Sequence, residues 1–147
     1  MKLEFQSEIN QPVDRVFRFC ASKSGFLAHF PFTTKWIGGP DAWTAPGDIL
    51  NFSFRLFGVP VRYTAEITEF EKNVRFVDVM RKGPYKFFRH EHVFEPIGDG
   101  EKTLYTDRLE FSGGFGNVAD GLISAPLTRR IFKKRHELMK KVLEEKI

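Results

Sequence analysis

Cysteine is almost missing from this chain. Cys20 stands alone, which rules out an internal disulfide and any disulfide-stapled scaffold. Long apolar runs are missing too. No stretch approaches the roughly 20 apolar residues that a membrane-crossing helix requires. Met1–Gln6 has no apolar core of the signal-peptide kind, so a cytoplasmic location is expected. There is no Gly-x-Ser-x-Gly elbow and no phosphate-binding loop, which removes the common nucleophile-elbow and P-loop chemistries. Tyrosine and tryptophan are scarce, with 3 and 2 copies, whereas phenylalanine occurs 17 times. Phenylalanine brings volume without a polar handle, so this bias predicts either a generously filled core or a cavity with aromatic walls.

The charge that is present is uneven. The net charge is +4, but Thr128 to Ile147 holds eight Lys and Arg against three Glu. That segment carries +5 and leaves −1 for the remainder. Basicity therefore belongs to one C-terminal segment, read first as a solvated helix face. A binding surface for acidic partners is the sharper reading of the same residues. No aromatics interleave with the basic run in the manner of single-stranded nucleic-acid binders, so no nucleic-acid partner is expected. The 147 residues, 41% hydrophobic and 29% charged, fit one ordinary globular domain. A homodimer stays open.

Periodicity orders the chain. Leu3, Phe5, Ser7 and Ile9 alternate with polar residues as a first strand. Pro12 and Asp14 open a helix whose stripe is Val13, Val16, Phe17 and Cys20, which makes Cys20 a small core residue. A second short helix fits Ser22 to Phe30, and a short strand fits Phe32 to Ile37. Trp36 and Trp43 flank the loop Gly38-Gly39-Pro40 and either gate a pocket or pack over the sheet end. About sixty residues of alternation then begin at Asp48. Leu50, Phe52, Phe54 and Leu56 share one face, and a turn is expected at Gly58-Val59-Pro60. Val61, Tyr63, Ala65 and Ile67 come next, then Val74, Phe76, Asp78 and Met80. Short connections imply an antiparallel meander. Gly113-Gly114-Phe115-Gly116 reads as a hinge or cavity lip. A long helix is expected from about Val118 to Lys146, with Leu127, Ile131, Leu138 and Val142 as its stripe, joined by Phe132, Met139 and Leu143. Pro126 predicts a kink near Ala125. The class is α+β: a curved antiparallel sheet with one apolar face, covered by the one helix long enough to do so.

The strand after Gly83-Pro84 is the most informative. It places Phe88, His90, His92 and Phe94 on one face, so two of the four histidines lie on a face patterned for burial. Buried imidazoles need partners, and the neighbouring strands supply Asp78 on one side and Asp107 on the other. Three uses fit this set. The imidazoles and carboxylates tie strands together; they meet the polar tip of a mostly apolar ligand; or a His–Asp couple acts as a general base in a dry cavity. His-x-His with an aspartate also has the chemistry of a metal site. The remaining histidines, His29 and His136, fall on other elements, so no metal and no cofactor are expected.

The chain resembles the START-like, birch-pollen-allergen-like superfamily, the SRPBCC or polyketide cyclase/dehydrase group. The likeness runs through Ile9–Phe17, Gly58 with Pro60, Tyr63–Ile67, Phe76-Val77-Asp78, Gly83-Pro84-Tyr85, the Phe88/His90/His92/Phe94 run, Thr103, Asp107, Phe132, Arg135 and Leu138. It departs at Phe88, where a tryptophan is expected, and at Ser112-Gly113-Gly114, where a Pro-Gly turn is expected. The resemblance implies a helix-grip fold with a hydrophobic pocket between sheet and C-terminal helix, and implies no particular reaction. The expected pocket wall is Phe52, Phe54, Tyr63, Phe76, Phe88, Tyr105 and Leu138, with Asp78, His90, His92 and Asp107 as the polar spot. A hydrophobic small molecule is the expected partner. A cyclase or dehydratase using the His–Asp base, and an interaction protein using the basic helix, are the alternatives.

Overall fold

Alternating apolar and polar residues drive β1 (Lys2–Ile9), and every second side chain turns inward until Ile9 is fully buried. The computed structural model describes residues 1–114 and 116–145. Phe115 of the glycine-rich lip and the expected helix end at Lys146 lie outside them. Two short helices follow, α1 (Val13–Cys20) and α2 (Lys23–His29). Ser22 caps α2 by accepting the Gly25 N–H at 3.1 Å.

The sheet is built from β2 (Thr34–Gly38), β3 (Ile49–Leu56), β4 (Val59–Glu71), β5 (Arg75–Lys82), β6 (Phe87–Ile97) and β7 (Lys102–Ser112). Its order is β1-β7-β6-β5-β4-β3-β2, and every pairing is antiparallel. Two register shifts between β4 and β5 accentuate its curvature. The turn expected at Gly58-Val59-Pro60 is tighter than the sequence suggests. Val59 and Pro60 already pair with Leu56 and Arg55, so the turn is Phe57-Gly58, both with positive φ.

The C-terminal helix runs from Asn117 to Glu144 in three pieces: α3 (Asn117–Ala119), a π-helical turn (Asp120–Ser124) and α4 (Ala125–Glu144). The irregularity expected near Ala125 is this π turn. The Ala125 N–H reaches back five residues to the carbonyl of Asp120, directly before Pro126, which has no N–H to offer.

The expected stripe on this helix needs correction. Val142 is 41% exposed, and Leu127, Ile131 and Leu138 are half-buried. The buried line is Ala125, Thr128, Phe132, Arg135, His136, Met139 and Leu143. Phe132, Met139 and Leu143 were legible. The i+3 and i+4 places between them belong to Arg135 and His136, whose polarity hid them from a hydropathy reading. Arg135 is thereby also removed from the basic surface of the helix.

α1 and α2 meet at Gly25. A Cβ built there would run into the backbone of Phe19, which has no flexible end to move aside. Gly25→Ala is therefore expected to destabilise by about 2 kcal/mol, although alanine is the better helix former by about 1 kcal/mol. A urea titration finding this variant as stable as the wild type would show that the two helices separate freely.

Candidate functional site

The register aligns the polar groups. On the inner face Asp78 pairs with His90 and Asp107 with His92, while Phe76 pairs with His92 and Tyr105 with Phe94. The polar row lies between two apolar clusters, one containing Phe88, Phe111 and Phe132, the other Phe17, Phe76, Phe94 and Tyr105. All four histidines of the chain are buried, and each takes part in a hydrogen bond.

Asp107 is the hub. It is 2% exposed. Its Oδ1 receives His90 Nε2 at 2.5 Å and the Tyr105 hydroxyl at 2.5 Å, and its Oδ2 receives His136 Nε2 at 2.7 Å. The Ser7 hydroxyl lies 2.7 Å from His136 Nδ1. Burial opposes ionisation of Asp107, but the His90 imidazole and the hydrogen bonds from His136 and His90 outweigh it and hold the carboxyl well below its ordinary range. Asp78 behaves alike: burial opposes its charge, and His90 and His92 nevertheless bring its pKa down.

His92 uses both ring nitrogens, Nε2 toward Asp78 at 2.7 Å and Nδ1 toward the Tyr105 hydroxyl at 2.9 Å. Burial, and then the adjacent His90, lower its pKa from 6.5 to about 4. A neutral ring has one N–H for these two contacts, and Tyr105 has one proton to divide between Asp107 and His92. With His92 neutral, two hydrogens serve the three contacts that link Asp78, His92, Tyr105 and Asp107. His90 differs. Its Nε2 is committed to Asp107, while Nδ1 stands 3.6 Å from Asp78 and borders the cavity.

Asp78, His90 and His92 have donor atoms within 4.8 Å of one another, the spacing of a metal set. The rings argue against one shared ion. His90 stacks on His92 with centroids 3.7 Å apart and 27° between planes, and His92 stacks in turn on Phe76 at 3.9 Å. Nitrogen lone pairs lie in the ring planes, so near-parallel rings do not aim at a common point.

Between the sheet and α4 lies a cavity of about 260 Å³. Of the expected wall, Phe52, Phe54, Tyr63, Phe76, Asp78, Phe88, His90 and His92 border it. Leu138, Tyr105 and Asp107 do not. Leu138 is half-buried on another side of α4, and Tyr105 and Asp107 stand behind the histidines as their partners. The helix side is Ile123, Ser124, Leu127, Ile131, Phe132 and Arg135. Ile123 is 67% exposed and Pro84 is exposed, which marks the mouth between the π turn and the β5–β6 loop, with Gly113 beside it. Of the two tryptophans, Trp43 is buried and borders the cavity, stacked on Trp36 at 6.1 Å. Cys20 also borders it, with burial pushing its thiol pKa up.

No protein-family model matches the chain, and no curated protein matches it in sequence. Solved structures match it from end to end. Protein CV1439 from Chromobacterium violaceum superposes with a TM-score of 0.77 at 12% identity, over 99% of this chain and 98% of that one. A START superfamily protein from Mycobacterium smegmatis gives 0.75 at 9% identity, over 97% of both chains. The chain has the START-like helix-grip fold. The ginseng major latex-like protein 151 from Panax ginseng shares it, with a TM-score of 0.70 at 11% identity over 99% of this chain and 98% of that one. At such identities the likeness speaks for the fold, and the helix-grip cavity must be read from its own residues.

Sequence reasoning missed three of them. His29, Arg135 and His136 reach the site from α2 and α4; the Phe132/Met139/Leu143 spacing hinted at the latter two, and Arg135 stood in the family resemblance without a role. Arg135 Nη2 donates to His29 Nε2 at 3.0 Å, and His29 Nδ1 donates to the Gly25 carbonyl at 2.6 Å. Burial first, and the adjoining Arg135 charge second, hold the His29 pKa well below 6.5, so this ring is neutral and has a free lone pair for the guanidinium.

Proposed function

We propose that this protein binds a hydrophobic small molecule in the cavity between the sheet and α4. The observation that carries this reading is the cavity itself: about 260 Å³, walled chiefly by phenylalanine and aliphatic side chains, with polar groups grouped at Asp78, His90 and His92. An apolar cavity of roughly 150 Å³ accepts one benzene ring, and ordinary ligand pockets begin near roughly 300 Å³. The guest is accordingly about the size of two fused rings or a short acyl chain. Phe26, Phe30, Phe32, Phe52, Phe54, Phe76, Phe88 and Phe132 border the space, and Phe17, Phe94 and Phe111 fill the core beside it.

The test uses the neutral fluorophore N-phenyl-1-naphthylamine and native mass spectrometry of protein taken directly from cells. The wild type is expected to bind the probe at micromolar concentration. Ala65→Phe, which projects a ring from the middle of β4 into the cavity, is expected to weaken binding at least tenfold while remaining folded. A wild type that binds no apolar probe and leaves cells without a guest would defeat the reading.

One observation favours a second reading, in which the bound molecule is also converted. His90 is oriented by Asp107 through Nε2 and presents Nδ1 to the cavity, the arrangement of a His–Asp general base. Guests extracted from wild type and from His90→Gln would then differ by the elements of water or by a ring closure. Identical guests would reduce His90 to a binding residue.

A further inference from the structure

The helix-grip cavity contains a positive charge that no carboxylate of the described residues contacts directly. Arg135 is only 8% exposed and borders the cavity from the middle of α4. Its guanidinium lies among three phenyl rings, with Cζ 4.9 Å from the centroid of Phe132, 5.6 Å from Phe30 and 5.7 Å from Phe26. Among the described residues no carboxylate oxygen comes within 4.0 Å of it. Among the described residues its one hydrogen bond goes to neutral His29, and its buried Nε–H has no acceptor. Arginine does not lose its proton, and a buried, unpaired cation is among the costliest groups a fold can hold. Phenyl faces attract a cation weakly and accept no hydrogen bond.

Resting on the cavity reading above, we infer that the guest is a monocarboxylic acid whose carboxylate is received by Arg135. A carboxylate supplies the missing counter-charge and accepts charge-assisted hydrogen bonds from guanidinium N–H groups. His29 then serves as the positioning residue. Its Nδ1–H is fixed on the Gly25 carbonyl, which leaves Nε2 to grip one arm of the fork and set its plane. The stoichiometry of charge argues for a single negative charge. Among the described residues no lysine borders the cavity and Arg135 is the only arginine there. A dianionic phosphate would enter with an excess of negative charge.

The experiment compares 2-naphthoate with the neutral 2-naphthamide by isothermal titration at pH 7.5, on the wild type, Arg135→Met and His29→Gln. The wild type is expected to bind the acid at least tenfold more tightly than the amide. Arg135→Met is expected to lose that preference, its affinity for the acid falling at least tenfold more than its affinity for the amide, and to melt no lower than the wild type because an unpaired buried charge is gone. His29→Gln retains a side-chain acceptor and is expected to keep a reduced preference. Equal affinities for acid and amide in the wild type would overturn the inference, as would a preference that survives Arg135→Met. So would an Arg135→Met protein that unfolds, since the cation would then be a structural member. Neutral probe binding with no preference for acid sinks the carboxylate alone, whereas failure of every probe sinks the cavity reading together with it.

Discussion

Asp107→Ala is expected to lower stability by about 3–5 kcal/mol, the usual consequence of removing one member of a buried charged network. The substitution leaves His90 Nε2 and His136 Nε2 buried without their acceptor, and leaves the Tyr105 hydroxyl only His92 Nδ1. Each stranded donor costs about 1–3 kcal/mol. For a chain of 147 residues the melting temperature should fall on the order of 10 °C. Because the three donors share one acceptor, the effects are not additive. Adding His136→Ala to Asp107→Ala should cost at least about 1 kcal/mol less than the two single changes summed. Urea titrations of the four proteins at pH 7 measure this cycle. A single-variant loss below about 1 kcal/mol would mean that the network contributes little to folding.

Acid is expected to destabilise the protein well before its carboxylates titrate. The His92 pKa is lowered by folding from 6.5 to about 4. As pH falls below 6.5 the unfolded chain takes up a proton at this position and the native state does not, so the equilibrium moves toward unfolding. The loss accumulates down to about pH 4 and then levels off, because below that both states are protonated. At about 1.4 kcal/mol per pKa unit, His92 alone accounts for about 3 kcal/mol. His29, lowered for the same primary reason of burial, acts in the same direction. Asp78 and Asp107 also have lowered values, but their stabilisation is present above about pH 4 and is lost only as pH falls further. Melting temperatures measured from pH 7 to pH 4 should fall steeply, and His92→Gln should flatten that slope. A flat profile between pH 6.5 and 4.5 would mean that the buried imidazoles are already charged at neutrality.

Much of this was legible because strand periodicity is a local property. The alternation of Phe88, His90, His92 and Phe94 placed both imidazoles inward, and consecutive strands with short turns made Asp78 and Asp107 their neighbours. Both pairings hold in the sheet. Which carboxylate serves which ring was not legible. Asp107 lies across from His92 in the register, yet its close contact is with His90, through a diagonal only side-chain geometry can select. Tyr105 was expected on the pocket wall because it faces inward. It became the bridge between His92 and Asp107 because its hydroxyl reaches both. On α4 the reading failed where polarity and burial part company. Hydropathy put Leu138 and Val142 inside and left Arg135 and His136 outside, and the reverse is closer to the structure.

The sequence by itself determined the architecture: an antiparallel meander with one apolar face, two short helices after the first strand, and a single long helix to cover the sheet. It also determined that the inner face would carry imidazoles and carboxylates among phenylalanines. Those properties follow from periods of 2 and 3.6 residues and from the rule that apolar faces must be covered. Only the tertiary structure decided that the covering is incomplete, leaving about 260 Å³ open. Only it decided that one imidazole nitrogen and one buried guanidinium face the space. Cavities and unmatched charges arise from how whole elements fail to fill or neutralise one another, and that difference is written in no single segment of the chain.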